Sequence, residues 1–446
     1  MKKIYFLFLS VLLSLYAQSQ EINIEALTLE GAVEYSTIHS PAVNIQRLKE
    51  QQEEIKLSQI KLDYLPDVYV TSDLRKNIII PTTPIPATMI NPSAPEGELM
   101  YMRFNTPWSS GAGLNLAFDI FNPEMIGRKS EQEKLLKISE LGLQIAENEL
   151  RANVTQAYID CAIAQTQLNA IIADTTYYAD LLQETETLYK REKVSLADKN
   201  NSEMNYNTSL TRFHQAKSIF HNAKINLLIN LGEDVNALNL NRLRLADNIQ
   251  TLYAKMNTAQ LINDDNSLSQ SKQAELVSLS EIKTKNTVLK YAPSLSLSGY
   301  YGANYFGQNL NLGNSDKWFG NSFLSLSLRV PIMQSLSTSK EVSQLRMQEQ
   351  IERENLRELQ NSRVGELSRE LTLLETYKNN YLLKQSNLKL MSENIAAKQL
   401  QLEKEYILTS EFSSEKLREQ NALQEYLQAA YDVLNAYIKV EKLMKN

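Results

Sequence analysis

Residues 124–292 and 332–446 contain no proline, and glycine is absent from 143–231 and 366–446. Proline deletes a helical hydrogen bond, and glycine costs about 1 kcal/mol in a helix interior. Stretches this free of both are the material of long helices. The chain has only 13 Gly and 11 Pro in 446 residues, too few to punctuate a series of small domains. A hydrophobic fraction of 43%, with 22% charged residues and a mean hydropathy of −0.35, excludes a chain of many membrane-crossing helices. The same apolar content excludes wholesale disorder.

The apolar residues inside these stretches recur every seven positions. Leu136, Leu143, Leu150, Ala157, Ala164, Ile171 and Tyr178 form one seam, and Val154, Cys161, Leu168, Leu182 and Tyr189 supply a second. Farther along, Leu367, Leu374, Tyr381, Leu388, Ile395 and Leu402 keep the same period. Sustained heptads indicate helices packed at shallow angles, as in a coiled coil. Residues 194–202 and 407–414 interrupt the two patterns and read as turns, each followed by a further helix.

Ahead of each long helix the period changes from seven to two. Val68 and Val70 alternate with Asp67, Tyr69, Thr71 and Asp73, and Leu114, Leu116, Phe118 and Ile120 alternate with Asn115, Ala117 and Asp119. The segment between them, 75–110, is rich in Pro, Asn, Ser and Thr and reads as a long loop. The arrangement then recurs. Tyr291-Ala292-Pro293 matches Tyr64-Leu65-Pro66, Leu295 and Leu297 alternate with serines, and Leu324, Leu326, Leu328 and Val330 alternate with Ser325, Ser327 and Arg329. The chain thus reads as two copies of helix, β-hairpin, long helix, turn and helix.

The organisation expected is a leader over 1–19, leading helices over 20–65 and a first hairpin over 66–122. A helix pair over 123–231 and a linker over 232–256 follow. The second copy gives a leading helix over 257–292, a hairpin over 293–332 and a helix pair over 333–446. The leader has the form of an export signal: basic Lys2 and Lys3, an apolar run from Ile4 to Tyr16, and a small-x-small site at Ala17-Gln18-Ser19. Without its two lysines the formal charge of −6 becomes more acidic still, which argues against nucleic acid as a partner. One cysteine, Cys161, permits no disulfide framework. Its place on a heptad seam suits a small buried hydrophobe.

No sequence pattern for chemistry is found. Phosphate-loop, nucleophile-elbow and Cys-x-x-Cys patterns are missing, so neither an enzyme nor a bound cofactor is expected. His214 and His221 lie two helical turns apart without a cysteine or tight acidic cluster, which is a poor metal site. Asp264-Asp265 lacks calcium-loop spacing and reads as a linker or cap. The strands are more informative. Each is close to the nine to eleven residues that cross a bilayer in a barrel, with aromatics, including Trp108 and Trp318, gathered around them. Such alternation also suits a soluble sheet packed on helices. Four strands cannot close a barrel, and lipid tolerates no open strand edge, so membrane strands here would have to be pooled by several chains.

Signal, duplication, paired hairpins and four coiled-coil helices together resemble the outer membrane efflux protein family, the TolC-like channel-tunnels of Gram-negative bacteria. The resemblance implies an α+β membrane protein in the outer membrane, extending into the periplasm. In that family three chains give four strands each to a shared twelve-stranded β-barrel, continuous with a long α-helical coiled-coil barrel. It implies a homotrimer in contact with outer-membrane lipid, a periplasmic adaptor, an inner-membrane pump, and a passive exit duct gated at its tip. Residues 232–256 would contribute to an equatorial belt.

The family's tip pattern is matched loosely: Tyr406 and Glu415 fit, Thr409 replaces a glycine and Arg418 replaces an acid. The resemblance therefore makes Tyr406, Glu411, Glu415 and Arg418 tip-gate candidates. Asp198 and Glu203 are the corresponding acids of the first copy. It makes Val194, Ser195, Leu196 and Ala197, with Leu408, Thr409 and Ser410, the adaptor-docking turns. The competing expectation is an exported coiled-coil scaffold or adhesin whose hairpins stay in water.

Overall fold

A computed structural model describes residues 26–258, 267–332, 335–404, 406–407 and 409–445. The leader, Asp264, Asp265 and Leu408 lie outside these residues. Fifteen principal elements are described. Helices α1 (Leu29–His39) and α2 (Pro41–Leu62) lead into strands β1 (Asp67–Lys76), β2 (Thr83–Pro86), β3 (Leu99–Met102) and β4 (Trp108–Phe121). Then come α3 (Pro123–Lys190), α4 (Leu196–Leu231), α5 (Ala237–Arg242), α6 (Ile249–Thr258) and α7 (Leu268–Leu289). Strands β5 (Ser294–Gly307) and β6 (Trp318–Arg329) precede α8 (Ser335–Glu403) and α9 (Thr409–Lys445). The chain is mostly helical, and α3 and α8 run unbroken for 68 and 69 residues.

The described residues form two compact units: those within 51–138 and 274–354, and those within 26–50, 139–273 and 355–445. The first unit holds an antiparallel sheet in the order β1-β4-β5-β6. Its register aligns the alternating residues into rows. Val68 faces Leu116, which faces Gly299, which faces Leu324. Val70, Leu114 and Tyr301 form the next row, and Phe118, Leu297 and Leu326 another. Because side chains alternate across a strand, these rows share one face, and Thr71, Asp73, Asn115, Ser298 and Ser325 fall on the other.

The polar face also carries aromatic rings. Tyr300 stacks with Phe323 at 6.0 Å, and Phe306 meets Phe319 at 6.2 Å. Tyr300 lies flat across Gly113, where a Cβ would come within 2.5 Å of its ring. The helical part of this unit is laced by polar contacts. Gln132 of α3 donates to the carboxylate of Glu53 on α2, Lys134 pairs with Glu275 at 2.8 Å, and Asn286 of α7 donates to the Gly127 carbonyl.

One expectation needs correction here. The long loop 75–110 contains a short ribbon of its own, β2 against β3, in which Pro84 and Pro86 stand opposite Tyr101 and Leu99. A two-stranded ribbon has only edge positions, where proline's missing N–H can be tolerated. The second leading helix, expected from about 257, is described from Leu268, 249–258 forms helix α6, and 259–266 lie outside the described residues.

The second unit is built around one apolar core that includes Val154, Tyr158, Cys161, Leu227, Leu252, Tyr381 and Val433. Heptad seams of α3 and α8 therefore meet the apolar faces of α4, α6 and α9. Leu27 pairs with Leu245 as a parallel bridge. The buried Tyr158 hydroxyl fastens this bridge, donating to the Leu27 carbonyl at 2.7 Å and accepting from the Asp247 N–H at 3.2 Å. Asp247 in turn accepts from the Leu29 N–H and pairs with Lys255 at 2.8 Å. Gly232 ends α4 with φ +81°, and the Glu233 N–H returns to the Leu228 carbonyl. That left-handed cap favours glycine.

Candidate functional site

The two helix–turn–helix ends, α3–α4 and α8–α9, come together within the second unit. Lys190 is the last residue of α3, and the chain reverses through Glu192, whose φ is +56°. The Lys193 N–H donates back to the Leu188 carbonyl and the Glu192 N–H to that of Tyr189, so the cap has the same bonding as the one at Gly232. Glu192 occupies the position where glycine is preferred, and a left-handed non-glycine residue costs roughly 1–2 kcal/mol. Ser195 then starts α4 with a capping box: its hydroxyl accepts from the Asp198 N–H, and Asp198 accepts from the Ser195 N–H. The Ser195 hydroxyl, which also donates to the Asp198 carboxylate at 2.7 Å, and then the Ser195 N–H hold that carboxyl below the usual aspartate range.

At the other turn, α9 begins at Thr409, several residues earlier than the break at 407–414 suggests. Thr409 and Ser410 are thus first-turn helical residues, and Glu411 beside them is favoured by the helix dipole. Tyr406 is 77% exposed, and its N–H donates to the Gln401 carbonyl. Val194 and Asp198 share with Thr409, Ser410, Ser413 and Leu417 a groove of about 750 Å³. Leu196 and Ala197 remain exposed on the surface of α4. The structure therefore brings the first-copy turn and the start of α9 together, with Leu408 outside the described residues.

Each acid singled out at these turns has a partner inside the chain. Glu411 pairs with Lys398 across the α8–α9 turn, Glu415 with Arg418 at 3.1 Å, and Glu203 with Lys199 at 3.2 Å. Behind them Phe412 is buried, and its ring meets Tyr177 edge-on at 5.6 Å. Sequence reasoning missed the next layer. Asp174 of α3 accepts from the Gln420 amide at 2.6 Å and lies 3.8 Å from the Lys416 ammonium, while Arg212 of α4 donates to Gln420. Burial pushes the Asp174 carboxyl above the usual range, against the opposite pull of Gln420 and Lys416. Asp174 and Gln420 are 246 positions apart, so no local pattern could have paired them. Among the described residues no cluster of His, Cys, Asp and Glu could hold a metal ion, and no helix is long and apolar enough to cross a membrane.

No family model matches the chain, and no curated protein sequence matches it. Solved structures do. The CmeC outer membrane channel of Campylobacter jejuni superposes with a TM-score of 0.71 at 14% identity, over 93% of this chain and 85% of that one. The chain has the fold of an outer-membrane channel. The MtrE outer membrane channel of Neisseria gonorrhoeae, in its open state, gives a TM-score of 0.69 at 11% identity over 93% and 88% of the two chains. VceC of Vibrio cholerae, an outer membrane protein, gives 0.68 at 10% identity over 93% and 95%. The channel fold is thus shared across nearly the whole length of these proteins, while the residues that build it differ at almost nine positions in ten.

Proposed function

We propose that the protein is a passive outer-membrane export duct, assembled from three copies that pool their sheets into one barrel. The observation that carries this reading is the sheet itself. Its valine and leucine face is left in the open: Val70 is 76% exposed, Tyr301 77% and Leu324 72%. Among the described residues its outer strands β1 and β6 both present unpaired edges. An exposed apolar face beside open edges is an aggregation hazard in water. In a bilayer, neighbouring copies would pair the edges and lipid would cover the face, satisfying both requirements at once.

On this reading the protein lies in the outer membrane and reaches into the periplasm through the coiled-coil helices of three chains. The export signal at 1–19, the solved channels and the polar opposite face all favour it. Energy for transport comes from an inner-membrane pump joined through a periplasmic adaptor, which would dock on Val194–Ala197 and Leu408–Ser410. Opening is a repacking of α8 and α9 against α3 and α4 at the tip, a population shift driven by the docked partner. On this reading Glu415, Glu411, Tyr406 and Arg418 would line that constriction. Because Arg418 already pairs with Glu415, the resting gate should discriminate weakly between cations and anions.

Conductance tests the reading. The purified protein added to a planar lipid bilayer should give discrete, long-lived current steps of uniform size. Absence of steps, from protein shown to be folded, would remove the channel assignment.

A further inference from the structure

A cleft of about 640 Å³ lies between α3, α4 and the segment 240–245, away from both helical turns. His214, Lys217, His221 and Lys224 fall at intervals of three and four along α4, which places them on a single stripe facing it. Arg244 enters from the opposite wall. Among the described residues no aspartate or glutamate lines the cleft, although acids outnumber bases in the chain as a whole.

The cations are held there by neutral groups. Lys224 is only 9% exposed, and its ammonium donates to the Leu240 carbonyl at 3.0 Å and lies 4.9 Å from the Phe220 ring centre. Arg244 donates to the carbonyls of Asn241 and Leu243. Burial lowers the Lys224 ammonium from the usual lysine range, and the nearby Arg244 pushes it the same way. A buried positive charge without a carboxylate is costly, and a bound anion would relieve that cost. Leu168, Phe220 and Leu243 supply apolar wall, and the volume is that of small-molecule sites, about 300–1,000 Å³.

We propose that this cleft binds a small organic dianion, a dicarboxylate with a compact apolar body. One carboxylate meets Lys224 and Lys217 on α4, the other meets Arg244, and the body rests on Phe220. The inference is independent of the export reading, because it uses only residues of this cleft.

Isothermal titration calorimetry of the full-length, detergent-solubilised protein with benzene-1,3-dicarboxylate tests it. The expected result is saturable binding of one molecule per chain, weakened by added salt. Charge-assisted hydrogen bonds of this kind make Lys217→Gln and Arg244→Gln each raise Kd about ten-fold or more. Both side chains are exposed, so the folded chain should keep its helical circular dichroism. Lys389→Gln, on an exposed part of α8 outside the cleft, should leave Kd unchanged, and benzene-1,3-dicarboxamide should give no saturable heat. No saturable binding to the parent protein, or the same Kd in both cleft variants as in Lys389→Gln, would overturn the proposal.

Discussion

Leu324 and Ser325 are neighbours on β6 that face opposite sides of the sheet, so placing an arginine at each separates lipid from water. Leu324 sits near the middle of the 12-residue strand and is 72% exposed within its own chain. Little of its side chain is packed, so in a water-soluble sheet Leu324→Arg would cost only about 0.5 kcal/mol. If the same face meets hydrocarbon, an arginine near the bilayer midplane costs about 2–4 kcal/mol. That corresponds to roughly a 30- to 1,000-fold loss in the folded-to-unfolded ratio. Ser325→Arg, on the face shared with Asn115 and Ser298, should cost no more than about 0.5 kcal/mol. The assay is reversible urea unfolding in lipid vesicles, read by tryptophan fluorescence, with both variants measured beside the parent. Equal stabilities for the two variants would refute the assignment of the valine and leucine rows to lipid.

Three further expectations come from the helical turns. Arg418→Gln frees the Glu415 carboxylate from its 3.1 Å partner and should shift single-channel reversal potentials toward cation preference under a salt gradient; an unmoved potential would exclude Glu415 from the constriction. Asp174 has a carboxyl raised by burial, so the folded chain holds its proton more tightly than the unfolded one. Its contribution to stability therefore falls as pH rises from the ordinary 3.8 through the raised value, and the penalty is fully present above that value. Asp174→Asn should raise the thermal midpoint at pH 7 and flatten its fall with pH, and a lower midpoint would mean the Lys416 contact outweighs burial. Glu192→Gly removes a left-handed non-glycine residue and should stabilise the protein by up to about 1 kcal/mol in calorimetry; destabilisation would show that the Glu192 side chain matters more than its backbone.

Much of this architecture could be read from the chain because its elements are long and regular. Heptads and missing breakers mark α3 and α8, and alternation marks β1, β4, β5 and β6, since each signal repeats many times along one element. Short or non-local features left weaker traces. The ribbon of β2 and β3 is four residues per strand and contains two prolines, so composition pointed to loop. Helix α9 starts at Thr409 because a first-turn acid and tertiary packing of Phe412 outweigh a polar run that resembles a turn. Glu415–Arg418 is visible as an i,i+3 pair, whereas Lys398–Glu411 closes across a turn and Asp174–Gln420 joins distant helices. The α4 stripe of His214, Lys217, His221 and Lys224 was present in the spacing.

The central claim is that three chains share one membrane barrel. The mass of the detergent-solubilised protein, taken from an outer-membrane fraction and measured by light scattering with correction for bound detergent, tests it most directly. The account predicts three chains per particle and precipitation when detergent is withdrawn. A monomer or dimer that stays soluble without detergent would contradict it, and would mean that the hairpins belong to an exported coiled-coil scaffold.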